Sequence, residues 1–431
     1  MRRKAKQNSS AKHRNIGQNH VGDEQLDVAK EKTGENGTRN GLNSHEQQTQ
    51  RVDTSSASNA ENVVKIETRK SFCRGPFLGI LKVVVLIIII PPFLNYASLQ
   101  REAISLQSHG KMHDGPRGKL FMHCMGKGLP VVMMDAPGGY SSDMWSLVQT
   151  QVAKFTKVCV YDRAGIGFSE RAAQHLHDNQ MSNITSESPN LKYEQLRPTT
   201  ENMVADIRYL LKTLSNNTNN ILLVGGGLGA VNARFYARFY EDIFAVVLVN
   251  PFHENMFMDK DWLGLWYDHI IPSLQINQLL ALLGVTRLGI ITRLYKPRIL
   301  ENDNFKTDAI VRLKYLCCNS QHLSAGIMEH YYTNESLSQL KILQKLKPFP
   351  QNISVNIISS KNYSNFLPWS FNKLWYQYQQ MLVTKSFPNS ERIIVDNDFN
   401  TIYLDNVDIL VKTIKKLVVK FRKSVKESAN M

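Results

Sequence analysis

His253 and Glu254 set an imidazole beside a carboxylate, the pairing that general acid–base catalysis uses. They follow the apolar run AVVLVNP (245–251), and the sequence places no nucleophile to face them, so a structural role is expected. Five cysteines (Cys73, Cys124, Cys159, Cys317 and Cys318) show neither metal-ligand spacing nor a disulfide-rich pattern. Cys124 and Cys159 fall in runs that read as buried strands, where each is expected to be a free thiol acting as a small hydrophobe. No metal site and no cofactor site is expected.

The chain has 431 residues, 42% of them apolar, enough for one large domain with appendages. Its formal charge of +15 raises the question of nucleic acid. The lysines and arginines are scattered and no aromatic-basic module accompanies them, so no nucleic-acid partner is expected. A basic surface beside an anionic membrane accounts for the charge.

Three regions follow one another. Residues 1–70 are polar and lack hydrophobic periodicity, so they cannot bury enough apolar surface to offset the entropy of ordering and are expected to be disordered. Residues 77–97 are expected to form a transmembrane signal anchor, with Pro91 and Pro92 kinking or ending the helix. Lys65, Arg69, Lys70 and Arg74 precede this span, whereas Arg101 and Lys111 are the nearest basic residues after it. The positive-inside rule then makes the chain a single-pass type II membrane protein, with a cytosolic N-terminus and a lumenal or extracellular C-terminal domain. Glycosylation sequons at Asn183, Asn216, Asn334, Asn352 and Asn362 agree with that orientation.

From about 105 to 425, short apolar runs alternate with helical patterns. VVMM, VCVY, ILLV, AVVLV, VNII and RIIV, rich in β-branched residues, predict strands buried on both faces of a mostly parallel sheet. Residues 200–214, 228–240 and 407–423 read as helices, which makes the fold class a doubly wound α/β. Residues 255–345 lack strands and predict a helical cap inserted after the sixth strand. The last helix is expected to pack Leu410, Ile414, Leu417 and Phe421 on the sheet. A polar insertion at 172–196 reads as a surface loop.

The blocks DMWSLVQTQVAKFTKVCVYDRAGIGFSE (143–170), RPTTENMVADIRYLLKTL, ILLVGGGLGAVNARFYARFYEDIFAVVLVNPFHE and IIVDNDFNTIYLDNVD occur in the order seen in α/β-hydrolases, and residues 105–420 resemble that superfamily. The resemblance implies a nucleophile at the centre of a G-x-S-x-G turn, a histidine after the last strand and an acid after the strand at 354–360. Here the turn reads Gly225-Gly226-Gly227-Leu228-Gly229, with Gly227 at the nucleophile position. Asn400 aligns with the histidine, and no histidine follows His330. Asn362 aligns with the acid, and Asn250 occupies the alternative acid position after the sixth strand. An amide cannot take and return a proton near neutral pH. The oxyanion region comprises Asp135, Ala136 and Gly138 after the third strand, together with Leu228; Asp135 is expected to hydrogen-bond the turn.

Three positions that each lack the needed group imply a catalytically silent hydrolase fold acting by binding. The expected partners are the membrane, an apolar or lipid-like ligand under the cap, and a protein. The competing expectation is an esterase or lipase with a non-standard site, for which Tyr140, Ser141 and Ser142 are the candidate nucleophiles. A scaffold acting through residues 1–70 is a third.

Overall fold

The computed structural model describes residues 75–106, 109–172, 194, 196–214, 221–302 and 304–429. The expected disordered tail, the sequons at Asn183 and Asn216, and most of the 172–196 insertion lie outside the described residues.

The chain enters as helix α1 (Gly75–Leu106), then forms strands β1 (Lys111–Gly115), β2 (Gly118–Met125) and β3 (Val131–Asp135). Helix α2 (Ser146–Val152), β4 (Val158–Tyr161), α3 (Thr200–Leu214), β5 (Ile221–Gly226), α4 (Leu228–Phe239) and β6 (Ile243–Val249) follow. The cap comprises α5 (Lys260–Gly264), α6 (Ile271–Leu282), α7 (Val285–Ile291), α8 (Thr307–Cys318), α9 (Ser320–Tyr331) and α10 (Thr333–Leu346). The chain returns through β7 (Ser354–Ser360), α11 (Trp369–Met381), β8 (Glu391–Val395), α12 (Ile402–Asp405) and α13 (Val407–Ala429).

One eight-stranded sheet has the order β1-β2-β4-β3-β5-β6-β7-β8. Strands β3 to β8 run parallel, while β2 is antiparallel to both β1 and β4. The uniformly apolar runs are explained by burial on both faces. Val131 and Met133 join the core with α3 and α4, whereas Val132 and Met134 join the opposite core with α2 and α13. Leu410, Ile414, Leu417 and Phe421 are buried in that way. Strand β8 departs from the expectation: as the sheet edge it leaves Ile393 and Ile394 exposed.

Two other expectations need correction, and one hairpin was not anticipated. The β1–β2 hairpin is not visible as apolar runs, because β1 is an edge strand with alternating exposure. It is pinned instead by Arg117, whose guanidinium pairs with the buried carboxylate of Asp206 on α3. Cys124 and Cys159 are not free thiols: they lie directly opposite each other on antiparallel β2 and β4 and form a disulfide. Apolar flanks made both look like inert core residues; only the strand pairing brings them together. Finally, of the two expectations for Pro91 and Pro92, ending the helix is not met: α1 continues to Leu106. Contacts beyond the prolines hold it there, since Asn95 Nδ2 donates to the carbonyls of Ala281 and Cys318 (2.9 and 3.2 Å).

Candidate functional site

The turn after β5 is tight because nothing but glycine fits. A Cβ on Gly225 would lie 2.2 Å from the Gly229 carbonyl oxygen. Gly227 sits at the N-cap of α4 with φ +50° and ψ −109°, a conformation that costs a residue with a side chain strain energy. This is the backbone shape that presents a nucleophile at the mouth of a strand-to-helix turn.

The space in front of Gly227 is occupied. A Cβ there would meet the ring of Phe399 at 2.7 Å and the Cβ of Pro137 at 3.5 Å. Phe399 is buried and stacks on Phe252 at 5.4 Å between ring centres, with Tyr363 and Trp375 at 5.2 and 5.8 Å. Asn400 is exposed, at the rim of the cavity. The residue that faces the turn is therefore one position before the residue aligned with a histidine. An aromatic side chain gave no signal in a search for a proton acceptor.

Asn250, buried and at φ +48°, ties three segments together. Its own N–H donates to Ile358 O (2.8 Å), its Oδ1 accepts from Ser360 N (2.6 Å), and its Nδ2 donates to Phe399 O (3.0 Å). Asparagine tolerates this left-handed backbone better than most residues. Asn362 lies in the adjoining loop, where its backbone N–H donates to Asn397 O (3.3 Å) and its Nδ2 to Asn365 Oδ1 (2.9 Å).

The loop after β3 is built around a cation. Arg163, at the end of β4, bonds Asp135 Oδ1 (2.5 Å), Ala136 O (2.7 Å) and Pro137 O (2.8 Å). Its other side meets Glu329 on cap helix α9, Nε to Oε1 at 2.7 Å and Nη2 to Oε2 at 2.9 Å. Burial opposes the charge on Arg163, but the carboxylates of Glu329 and Asp135 outweigh it and hold its pKa above the ordinary arginine value. Asp135 thus pairs with Arg163 and accepts from Asn232 Nδ2 (2.8 Å); it does not bond the turn as expected. Glu329 also takes the Gly139 N–H (2.7 Å). Pro137, the loop residue facing Gly227, has no N–H to offer an oxyanion. Leu228 opens α4, so its N–H is the donor left at the turn.

Between cap and sheet is a cavity of about 400 Å³, lined among others by Gly138, Leu228, Trp266, Leu274, Leu313 and Phe399. Its titratable groups are all neutral near pH 7. Burial lowers His330 and brings His322 down to about 4. Burial also pushes Tyr140 up to about 12, and burial with the neighbouring Cys318 pushes Cys317 up to about 12. The imidazoles are engaged: His322 Nδ1 accepts from Gly167 N (3.1 Å), and His330 Nδ1 bonds Gly326 O (2.8 Å). Ser141 lines the cavity. Ser142 is buried with its N–H on Asp162 Oδ1 (2.7 Å). His253 and Glu254 lie elsewhere: Glu254 pairs with Arg234 at 2.6 Å, and His253 Nδ1 accepts from Asn255 N. Despite its burial, Glu254 is held at a pKa of about 2 by the Arg234 charge. Among the described residues, no group of three or more His, Cys, Asp or Glu side chains is placed to hold a metal ion.

This sheet order, with its turn after β5 and its helical insertion after β6, defines the class: the chain has the α/β-hydrolase fold. No protein-family model and no curated protein matches the sequence. Solved structures do resemble it. An epoxide hydrolase of Vigna radiata is 16% identical over 72% of this chain and 97% of its own, with a TM-score of 0.52. A laboratory-evolved variant of a potato epoxide hydrolase is 14% identical over 72% and 99%, with a TM-score of 0.53. The Cif epoxide hydrolase of Acinetobacter nosocomialis is 14% identical over 74% and 95%, also with a TM-score of 0.53. At such identity the likeness is one of fold.

Proposed function

We propose that this chain is a membrane-anchored, non-hydrolytic binding protein that holds a neutral apolar ligand between its cap and its sheet. The observation that carries the reading is the ring of Phe399, 2.7 Å from where a side chain on Gly227 would begin. The turn keeps its shape while its reactive space is filled. A reaction needs a nucleophile and a base in reach of one another; the groups around this cavity are apolar or neutral, and both imidazoles are already bonded. The lining also supports the ligand class. With His322, His330, Tyr140 and Cys317 uncharged, a charged headgroup in the cavity would have little to pair with, whereas an acyl chain or a fused apolar ring system displaces water favourably. The anchor is α1, which is long and apolar enough to cross a membrane from Gly79 onward. The disulfide favours an oxidising compartment, in keeping with a lumenal or extracellular domain.

The test is chemical and direct. The purified full chain is treated with a fluorophosphonate probe and with panels of esters and epoxides, and its co-purifying lipids are extracted and weighed. The expected result is no labelling, no turnover, and a neutral lipid at a fixed ratio to protein. Labelling at Ser141 or Ser142, or ester turnover above buffer, would establish the esterase or lipase reading instead, and epoxide turnover would equally overturn the non-hydrolytic one.

A further inference from the structure

The cap carries an apolar surface that its own packing does not explain. Helices α6 and α7 meet at Leu283 and Gly284 with a bend of 76°. Around this corner Ile276, Leu279, Leu282, Val285, Ile291 and Leu294 are 46–88% exposed. Apolar side chains gathered on an exposed surface mark a contact with a protein or a membrane. The sequence predicts a helical cap here; the structure turns much of the apolar surface of these two cap helices outward.

What lies beside the corner identifies its occupant. Gly284, at φ +72°, seats its backbone against Pro91 of α1 so closely that a Cβ would lie 2.2 Å from the Pro91 carbonyl oxygen. Arg287 then donates from Nε to Asn95 Oδ1 (2.8 Å) and grips Glu102 with both terminal nitrogens (2.7 and 2.8 Å). The corner is thus locked to α1 at the level of Pro91, three residues inside the end of the apolar stretch at Leu94. Three residues of helix are roughly 5 Å of depth, the level at which interfacial helices bury an apolar face. Exposed Arg293 and Lys296 follow at once, and long cationic side chains at the lipid boundary reach back to phosphates.

We infer that the α6–α7 corner is inserted into the membrane leaflet on the domain side, forming a second, monotopic attachment beside α1. The inference rests on the reading of α1 as a membrane span. Its consequence for the site is that α6, which supplies Ile270's neighbour Leu274 to the cavity wall, stands between the lipid and the ligand.

The experiment uses the full chain with Cys73 and Cys317 changed to serine, reconstituted in phosphatidylcholine vesicles. An environment-sensitive fluorophore is attached at one new cysteine at a time: Leu282→Cys, Ile291→Cys or Leu294→Cys at the corner, Ile88→Cys in α1, and Ile394→Cys on the opposite sheet edge. The lipids carry bromine either near the glycerol end or at the tail of the acyl chain. The corner labels are expected to emit in the blue and to lose most of their emission to glycerol-proximal bromine, with the Ile394 label unaffected. Water-like emission at the corner while the Ile88 label is quenched overturns the proposal and leaves the span intact. Blue emission at the corner that no bromine quenches also overturns it, and assigns the surface to a protein partner or a second copy. If the Ile88 label itself is unquenched, the span reading fails and this inference falls with it.

Discussion

Arg163 and Glu329 form a two-point ion pair across the boundary between sheet and cap, with Nε–Oε1 and Nη2–Oε2 separations of 2.7 and 2.9 Å. Both side chains are almost fully buried, so neither charge has water to fall back on. The pair fixes the cap at one place on the body, and Glu329 secures the loop after β3 by taking the Gly139 N–H.

Replacing Glu329 with Gln keeps the shape and leaves Arg163 with one carboxylate, Asp135, instead of two. The expected cost is about 3 kcal/mol, because a buried charge loses half its compensation. Urea unfolding measures it, and amide hydrogen exchange should quicken in α9, the helix Glu329 belongs to. An unchanged unfolding midpoint would show that the pair does not hold the cap.

Gly227→Ser should remain inert toward fluorophosphonate. It should also lose about 2 kcal/mol, because the side chain must adopt a strained backbone and push on Phe399. Phe399→Ala removes a buried ring from an aromatic cluster and should cost about 3–4 kcal/mol. The double variant should lose distinctly less than the sum, since the cavity left by one change accommodates the other. Strict additivity in the unfolding cycle would mean that the ring and the turn do not meet.

His322 gives the protein an acid liability. Its folded pKa of about 4 lies below the ordinary histidine value of 6.5 because of burial. The unfolded chain therefore binds the extra proton first, and this group's penalty is absent above pH 6.5 and grows as pH falls toward 4. By pH 4.5 it should reach about 2.5 kcal/mol. His322→Asn can still accept the Gly167 N–H and does not titrate. The stability gap between wild type and variant should therefore shift in the variant's favour between pH 6.5 and 4.5. A gap independent of pH in that window would place the neutral imidazole elsewhere.

Asn352 is exposed in the loop before β7, whereas Asn362 is tied to Asn365. Expression in a secretory cell should give a glycosidase-sensitive mass shift that Asn352→Gln reduces. Cys124 and Cys159 should alkylate only after reduction and unfolding. A bare Asn352 together with free thiols at Cys124 and Cys159 would turn the topology around.

The fold was legible in the sequence because parallel strands buried on both faces write themselves as continuous apolar runs, as VVMM and AVVLV do. The cap was legible as a region without such runs. The hairpin was not, since β1 is half exposed and the pairing of Arg117 with Asp206 joins residues far apart in the chain. At the site, the missing side chain at Gly227 could be read directly, but its replacement in space could not. Phe399 and Gly227 are far apart in the chain, and only the sheet order makes them neighbours. The Asp135–Arg163–Glu329 cluster escaped for the same reason. Asp135 and Arg163 each belong to a recognisable turn, and the second carboxylate that Arg163 holds, Glu329, comes from the cap.

The grip of Asn95 and Glu102 on Arg287 gives α1 a mechanical character. A domain on a flexible tether sweeps a hemisphere and meets its targets at any angle. This one would be mounted on a strut: the helix that would cross the membrane packs against the cap at Pro91 and is bonded to it through Asn95 and Glu102. Its height and tilt over the bilayer would be set by helix geometry, which leaves lateral diffusion and spin about the α1 axis as its main freedoms. Whatever it meets would then have to present itself at one fixed elevation.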